Sequence, residues 1–344
     1  MKVSPKQKQF VIPKFDNLNI STSEVESIFK PYIKSELNSS EQSWKDLVAS
    51  SKSFWRMRYI KRVLFGWTKL VGIRNQKNIE SNYSEQWTNT TLEQNISNNN
   101  HVPCVWGERN FLARSYGIKR VHQLLLAKFI ELKTPKNILE VGSGNGLNLF
   151  VLSSLFPSAE FSGCELTSGG VAVSKKVAME QYLPKYIQEF SPIPPKDLSA
   201  HKRIDFKQGS AKELPYTAGQ FDMVFTVLAL EQMEEIRHQA LSELARVSNR
   251  YVVMIEPYRD WNYAPLNRHK VIALDYFSAY ISDLPEYGLK PIGCYENIPN
   301  KLGYFANMII AEKNILISCD TKFTVHFMYM SVSLTVLKGF AQWL

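Results

Sequence analysis

The sequence predicts a doubly wound α/β fold: a mostly parallel seven-stranded sheet with helices on both faces, preceded by a helical N-terminal extension. Three observations predict it. Five short apolar runs, Asn137–Val141, Glu160–Cys164, Ile204–Lys207, Phe221–Val227 and Tyr251–Ile255, have the length and continuity of strands buried on both faces. Each is followed by a segment long enough for a crossover helix, the alternation that builds a parallel sheet. A glycine-rich turn, Gly142-Ser143-Gly144-Asn145-Gly146, directly follows the first run. That is where a doubly wound sheet binds its ligand, outside the carboxyl end of the first strand.

In chain order, residues 1–100 show no glycine-rich turn and no regular strand alternation, and read as a helical extension and linker. Within them Lys52–Lys69 interleaves cations with aromatic and aliphatic residues. The simplest reading is a helix that packs its Trp and Phe on the domain while its Lys and Arg stems reach water. A helix facing a membrane surface or RNA is the alternative. The Asn/Ser/Thr-rich stretch Tyr83–Asn100 reads as a loop or partly ordered linker. Residues 101–313 form the α/β domain. Lys119–Leu132 has apolar residues at helical spacing, as does Glu235–Val247. Two late runs, Lys290–Tyr295 and Tyr304–Glu312, flank the turn-rich Asn297–Gly303 and read as a terminal hairpin. Residues 314–344 are an apolar C-terminal extension whose run Thr324–Leu337 is shorter than the roughly 18–20 residues of a spanning helix.

The 344 residues are 44% hydrophobic and 21% charged, ordinary globular composition, which argues against disorder. No apolar stretch follows the charged start Met1–Lys8, so the expectation is a cytoplasmic protein. Cys104, Cys164, Cys294 and Cys319 are widely spaced, with none of the paired spacings of zinc or redox sites, and no metal is expected. The net charge of +9 favours anionic partners in general but identifies none.

The glycines allow a sharp turn and let a ligand lie against main-chain N–H groups. A dinucleotide site needs G-x-G-x-x-G, whereas position 147 is Leu. Glu140, two positions before the first glycine, would repel a pyrophosphate and favour a cationic amino-acid moiety such as methionine's ammonium group. Glu165 and Leu166 close the second strand, roughly twenty residues on, where an acidic side chain meets ribose hydroxyls.

On these residues the stretch Lys119–Lys313 resembles the class I S-adenosylmethionine-dependent methyltransferases, within the small-molecule group called type 11, with their Rossmann-like sheet. The resemblance implies S-adenosyl-L-methionine as cofactor. Gly209–Asp222 is similar to the family segment whose polar side chain and following N–H meet the adenine edge, which points to Ser210 and Ala211, although many relatives carry Asp where Ser210 stands. Phe221–Met233 looks like the fourth strand and its loop, so Thr226, Val227 and Leu228 are the candidate wall for the methionine portion. Relatives often carry His where this chain has Glu231-Gln232; a His base there is therefore not supported. Glu231 is the one weak catalytic candidate, with a structural hydrogen bond as its other reading.

For the acceptor, Trp106, Arg109, Tyr116, Gln232 and Tyr258 are the candidates, with Arg114 and Arg259 suited to a carboxylate or phosphate. The expected acceptor is a small molecule with an oxygen, nitrogen or sulfur nucleophile. An RNA or DNA methyltransferase is disfavoured by Thr226-Val-Leu-Ala229, where amino-methylating nucleic-acid enzymes often carry Asn/Asp-Pro-Pro-Tyr. A noncatalytic scaffold is the third reading. Peripheral membrane contact remains open, and the sequence leaves the oligomeric state undetermined.

Overall fold

Ser21 opens the first helix by accepting the Glu24 amide, and α1 runs Thr22–Phe29. Strand β1 (Ile33–Leu37) and the long α2 (Gln42–Phe65) follow. The computed structural model describes residues 18–66 and 75–314, which form one unit. Trp67–Lys69 of the basic stretch, Cys319 and the apolar run Thr324–Leu337 lie outside them.

The Asn/Ser/Thr-rich stretch expected as a loop or partly ordered linker is largely helical: α3 spans Gln76–Asn89 and α4 spans Leu92–Ser97. Its polar residues serve as caps. The Asn75 side chain accepts the Asn78 amide, and Thr91 with Gln94 forms a reciprocal capping box.

The extension is also not purely helical, because it contributes β1 to a small sheet whose other strands lie beyond residue 100. Strands β2 (His101–Trp106) and β3 (Arg109–Arg114) form a hairpin, with β1 against β3. The last strand of this four-stranded sheet comes from far along the chain, in the order β1-β3-β2-β10. Phe29 fills its inner face, its ring edge-on to Trp106 and Phe111.

The main sheet follows. Helix α5 (Ser115–Lys133) leads into β4 (Asn137–Val141), α6 (Leu147–Leu155), β5 (Glu160–Glu165), α7 (Ser168–Ala178) and α8 (Lys185–Phe190). Then come β6 (Asp205–Gln208), β7 (Phe221–Val227), α9 (Arg237–Val247), β8 (Ser248–Glu256) and α10 (Pro265–Ala273). Strands β9 (Leu289–Tyr295), β10 (Asn300–Lys301) and β11 (Asn307–Lys313) complete the chain. The seven strands lie in the order β6-β5-β4-β7-β8-β11-β9, parallel except for β11, which runs antiparallel to both neighbours. This is the predicted doubly wound sheet with its terminal hairpin. The hairpin's turn-rich connection supplies β10 to the small sheet.

The basic-aromatic helix divides its aromatics between two faces. Tyr59 stacks on His269 of α10, Arg62 pairs with Asp275, and Trp55 lies beneath the Lys270 ammonium. Phe54, Met57, Val63 and Leu64 instead face outward, 52% to 65% exposed, so the expected burial of Phe54 on the domain does not occur. Among the described residues no helix is long and apolar enough to cross a membrane.

Candidate cofactor and active site

Strand β4 delivers Glu140 and the glycine turn to the carboxyl edge of the sheet. The turn is pinned to β5, where Gly142 and Ser143 amides both donate to the Cys164 carbonyl (2.8 and 3.2 Å). Gly142 and Gly144 take φ of +78° and +55°, a region side chains rarely adopt. Space excludes a side chain as well: a Cβ on Gly142 would stand 2.5 Å from the Ala229 Cβ. Asn145 caps the start of α6 by accepting the Leu147 amide at 3.4 Å, with Gly146 at the N-cap.

Two buried carboxyl groups flank the turn in different states. Glu165 is engaged: Oε2 accepts the Gly144 amide (2.9 Å), and Oε1 accepts the Thr167 amide and hydroxyl (3.0 and 2.8 Å). It therefore holds the turn in shape besides facing the site. Glu140 is 1% exposed, with Oε1 accepting from Asn148 at 2.7 Å, while Oε2 has no hydrogen-bond partner among the described residues. Burial, with the Glu165 charge adding, pushes the Glu140 carboxyl up to about 8, against the opposing effects of Asn148 and Lys119. The Ser143 hydroxyl is likewise buried and unpartnered. An open carboxylate oxygen and a free hydroxyl beside bare glycines fit a ligand bearing an ammonium group.

The far wall is the loop leaving β7. Thr226 is fully buried, Val227 and Leu228 half-buried, and Leu228 takes φ of +54° while its amide donates to the Ile255 carbonyl. Glu256 at the end of β8 fixes this loop. Its Oε1 accepts the Ala229 and Leu230 amides (2.9 and 3.0 Å), and its Oε2 accepts the Glu231 amide (3.2 Å). Full burial pushes its carboxyl up to about 7 despite those bonds. Ser210 spends its hydroxyl on the Lys212 amide, Ala211 is buried in the core on one face of the sheet, and the Leu166 carbonyl accepts from Gln208.

Sequence reasoning expected a cover from the extension but did not single out Trp87. Helix α3 packs along α7 and brings Trp87 over the turn, 2.9 Å from where a Gly144 Cβ would be. The Trp87 indole nitrogen is buried without a partner. Gly169 permits the approach, its missing Cβ leaving room for the Ser84 carbonyl.

After the β7 loop, Glu231 and Gln232 are both buried, with the Gln232 amide donating to Glu231 Oε1 at 2.7 Å. Tyr116 packs on Phe190 beneath the Lys119 ammonium. Three expected acceptor residues are placed elsewhere. Trp106 is buried in the small sheet and donates to Asn297; Arg109 is clamped by Glu36 and Glu26. Tyr258 is 0% exposed, its hydroxyl on the Met254 sulfur and its ring against Phe277. Arg114 lies over Tyr32, and Arg259 donates to the Tyr276 carbonyl. Among the described residues no group of three His, Cys, Asp or Glu is placed to hold a metal ion.

Residues 139–251 match the protein family described as Methyltransferase domain. That segment runs from β4 into β8 and contains the glycine turn, both flanking carboxylates and the β7 loop. Among solved structures, the chain is similar to the cyclase SpnF (18% identity, TM-score 0.38, 52% of this chain and 59% of that one). It is also similar to the YcgJ protein of Bacillus subtilis (16%, 0.38, 56% and 98%) and to PigF with SAH (15%, 0.37, 57% and 59%). The chain thus spans less than two thirds of the length of SpnF and of PigF. The family match thus assigns residues 139–251 to a methyltransferase domain, and that segment supplies strands β4 to β8 of the doubly wound sheet.

Proposed function

We propose that this protein methylates a small-molecule acceptor. The observation that carries the reading is the enclosure of the space beyond Leu228. One wall is α5, through Ser115, Ile118, Lys119 and His122; the other is the β10 loop, through Asn300, Lys301, Tyr304 and Ala306. The cavity between them is ≈ 40 Å³, room for a few waters. An acceptor enters by parting these side chains, which suits a small molecule and not a duplex.

In this reading Glu140 receives the ammonium group, Gly142–Gly146 lie along the ligand, and Glu165 and Leu166 face the ribose. Ser210 and Ala211 edge the adenine, and Thr226, Val227 and Leu228 flank the methionine portion. The bound cofactor supplies an electrophilic methyl group; the chain's task is to align a nucleophile with it and exclude water. Glu231 and Gln232, buried as a hydrogen-bonded pair, orient the acceptor.

The test is incubation of the full chain with S-adenosylmethionine labelled in its methyl group and a cell extract, separated afterwards by size. Label in the small-molecule fraction, identified by mass spectrometry, is the expected result. Label confined to RNA, DNA or protein would sink the proposal.

A further inference from the structure

The chamber beyond Leu228 gathers cations that form no salt bridge among the described residues. Lys119 and His122 stand one helical turn apart on α5, and Lys301 faces them from β10. Lys270 of α10 stands behind, donating to the Leu302 carbonyl at 3.1 Å with its ammonium 5.6 Å from the Tyr304 ring. Among the described residues no carboxylate lies within ion-pair distance of any of these lysines. Glu231 reaches all three only through longer-range attraction, and Glu140 reaches Lys119.

The uncharged polar groups point the same way. His122 is 1% exposed with both ring nitrogens unpartnered, and the buried Tyr304 hydroxyl is unpartnered too. Buried polar groups are nearly always satisfied, so such a concentration calls for a ligand. Its sign follows from charge. Burial, reinforced by Lys119 and Lys301, pushes the His122 imidazole down to about 3; burial lowers Lys119 and Lys301, and takes Lys270 down to about 8. The neutral His122 reports the positive charge around it, and the lysine shifts report charge held at a cost that an anion offsets.

We propose that this chamber is the acceptor's anion subsite, taking an organic acceptor that bears a carboxylate or phosphate, paired with Lys301 and Lys119 and hydrogen-bonded by His122 and Tyr304. This rests on the methyltransferase reading for the chamber's purpose. Lys119 also senses Glu140 and so stands between cofactor and acceptor, whereas Lys301, His122 and Tyr304 lie wholly on the acceptor side. Anchoring the anion there leaves the rest of the acceptor to reach towards Leu228 and the end of β7.

The experiment is calorimetry at constant ionic strength on the full chain saturated with S-adenosylhomocysteine, using benzoate, inorganic phosphate and the neutral isostere benzamide. Benzoate or phosphate should bind about tenfold or more tighter than benzamide, as expected for a charge-assisted contact. Lys301→Gln should remove about tenfold of that affinity, Tyr304→Phe less, and Lys301→Arg should restore most of it, with S-adenosylhomocysteine affinity unchanged in all three. Thermal melts establish that each variant is folded. Normal S-adenosylhomocysteine binding with no preference for the anions over benzamide would overturn the subsite and leave the methyltransferase reading standing. Loss of S-adenosylhomocysteine affinity in Lys301→Gln would also overturn it, by assigning the cations to the cofactor's own carboxylate. Folded wild-type protein that binds no S-adenosylhomocysteine would overturn the underlying reading itself.

Discussion

The Trp87 indole lies directly over Gly144, so close that a Cβ on the glycine would stand 2.9 Å from its Cζ2 atom. The contact joins a helix of the N-terminal extension to the glycine turn of the sheet.

Gly144→Val is expected to weaken S-adenosylhomocysteine binding by about tenfold or more, since a branched side chain adds roughly 1–3 kcal/mol of backbone strain at this φ as well as the clash with Trp87. Calorimetry reads the affinity and circular dichroism the fold. Unchanged affinity in the folded variant would misplace the cofactor.

Because Trp87 roofs the turn, its emission should report cofactor binding. The chain has seven tryptophans, so the signal is the difference between wild type and Trp87→Phe. A cofactor-dependent emission change present in wild type and absent in Trp87→Phe is expected. The same change in both proteins would place the reporting indole elsewhere.

The proposed role of Glu140 as the ammonium's partner ties cofactor binding to pH. Its carboxyl sits at about 8 in the folded protein, above the ordinary 4.5, so the folded state holds an extra proton between those values. The stability from this group is present below pH 4.5 and is lost as pH rises through about 8. Without ligand, Glu140→Gln should therefore gain in melting temperature relative to wild type from pH 5 to pH 8. An ammonium ligand favours the ionised form, so wild-type affinity should rise over the same interval more steeply than that of Glu140→Gln. Parallel affinity profiles would exclude Glu140 as the ammonium's partner.

Glu256→Ala removes the acceptor of three buried backbone amides, a loss of about 3 kcal/mol or more in unfolding free energy. Glu256→Gln keeps one carbonyl oxygen and should recover part of it. Urea denaturation measures both. A loss in Glu256→Ala of less than about 1 kcal/mol would show that the β7 loop holds its shape by other contacts.

The sheet and the glycine turn were legible because their signals are local: an apolar run followed by a turn, or three glycines at fixed spacing. Glu140 was legible by its charge beside them. Helices α3 and α4 were not, because Asn and Thr mark a loop and a helix cap with the same letters. Long-range pairing hid the true setting of Arg109, whose partner Glu36 lies 73 positions earlier. His122 reads as one more polar residue on α5 until Lys301 is brought opposite it. Glu165 looked like a ligand contact alone; its bonds to Gly144 and Thr167 give it a second task that spacing could not reveal.

Two residues, Asn300 and Lys301, close the small sheet against Val105 and Cys104, almost two hundred positions earlier. Synthesis must therefore pass Lys301 before this wall exists, and such distant pairings form slowly. A nascent or truncated protein ending before β10 would lack this chamber wall and also β11, which joins β8 to β9 in the main sheet. The wall beside Leu228 is therefore among the last parts of the described structure to be made, after every strand of the main sheet but β11.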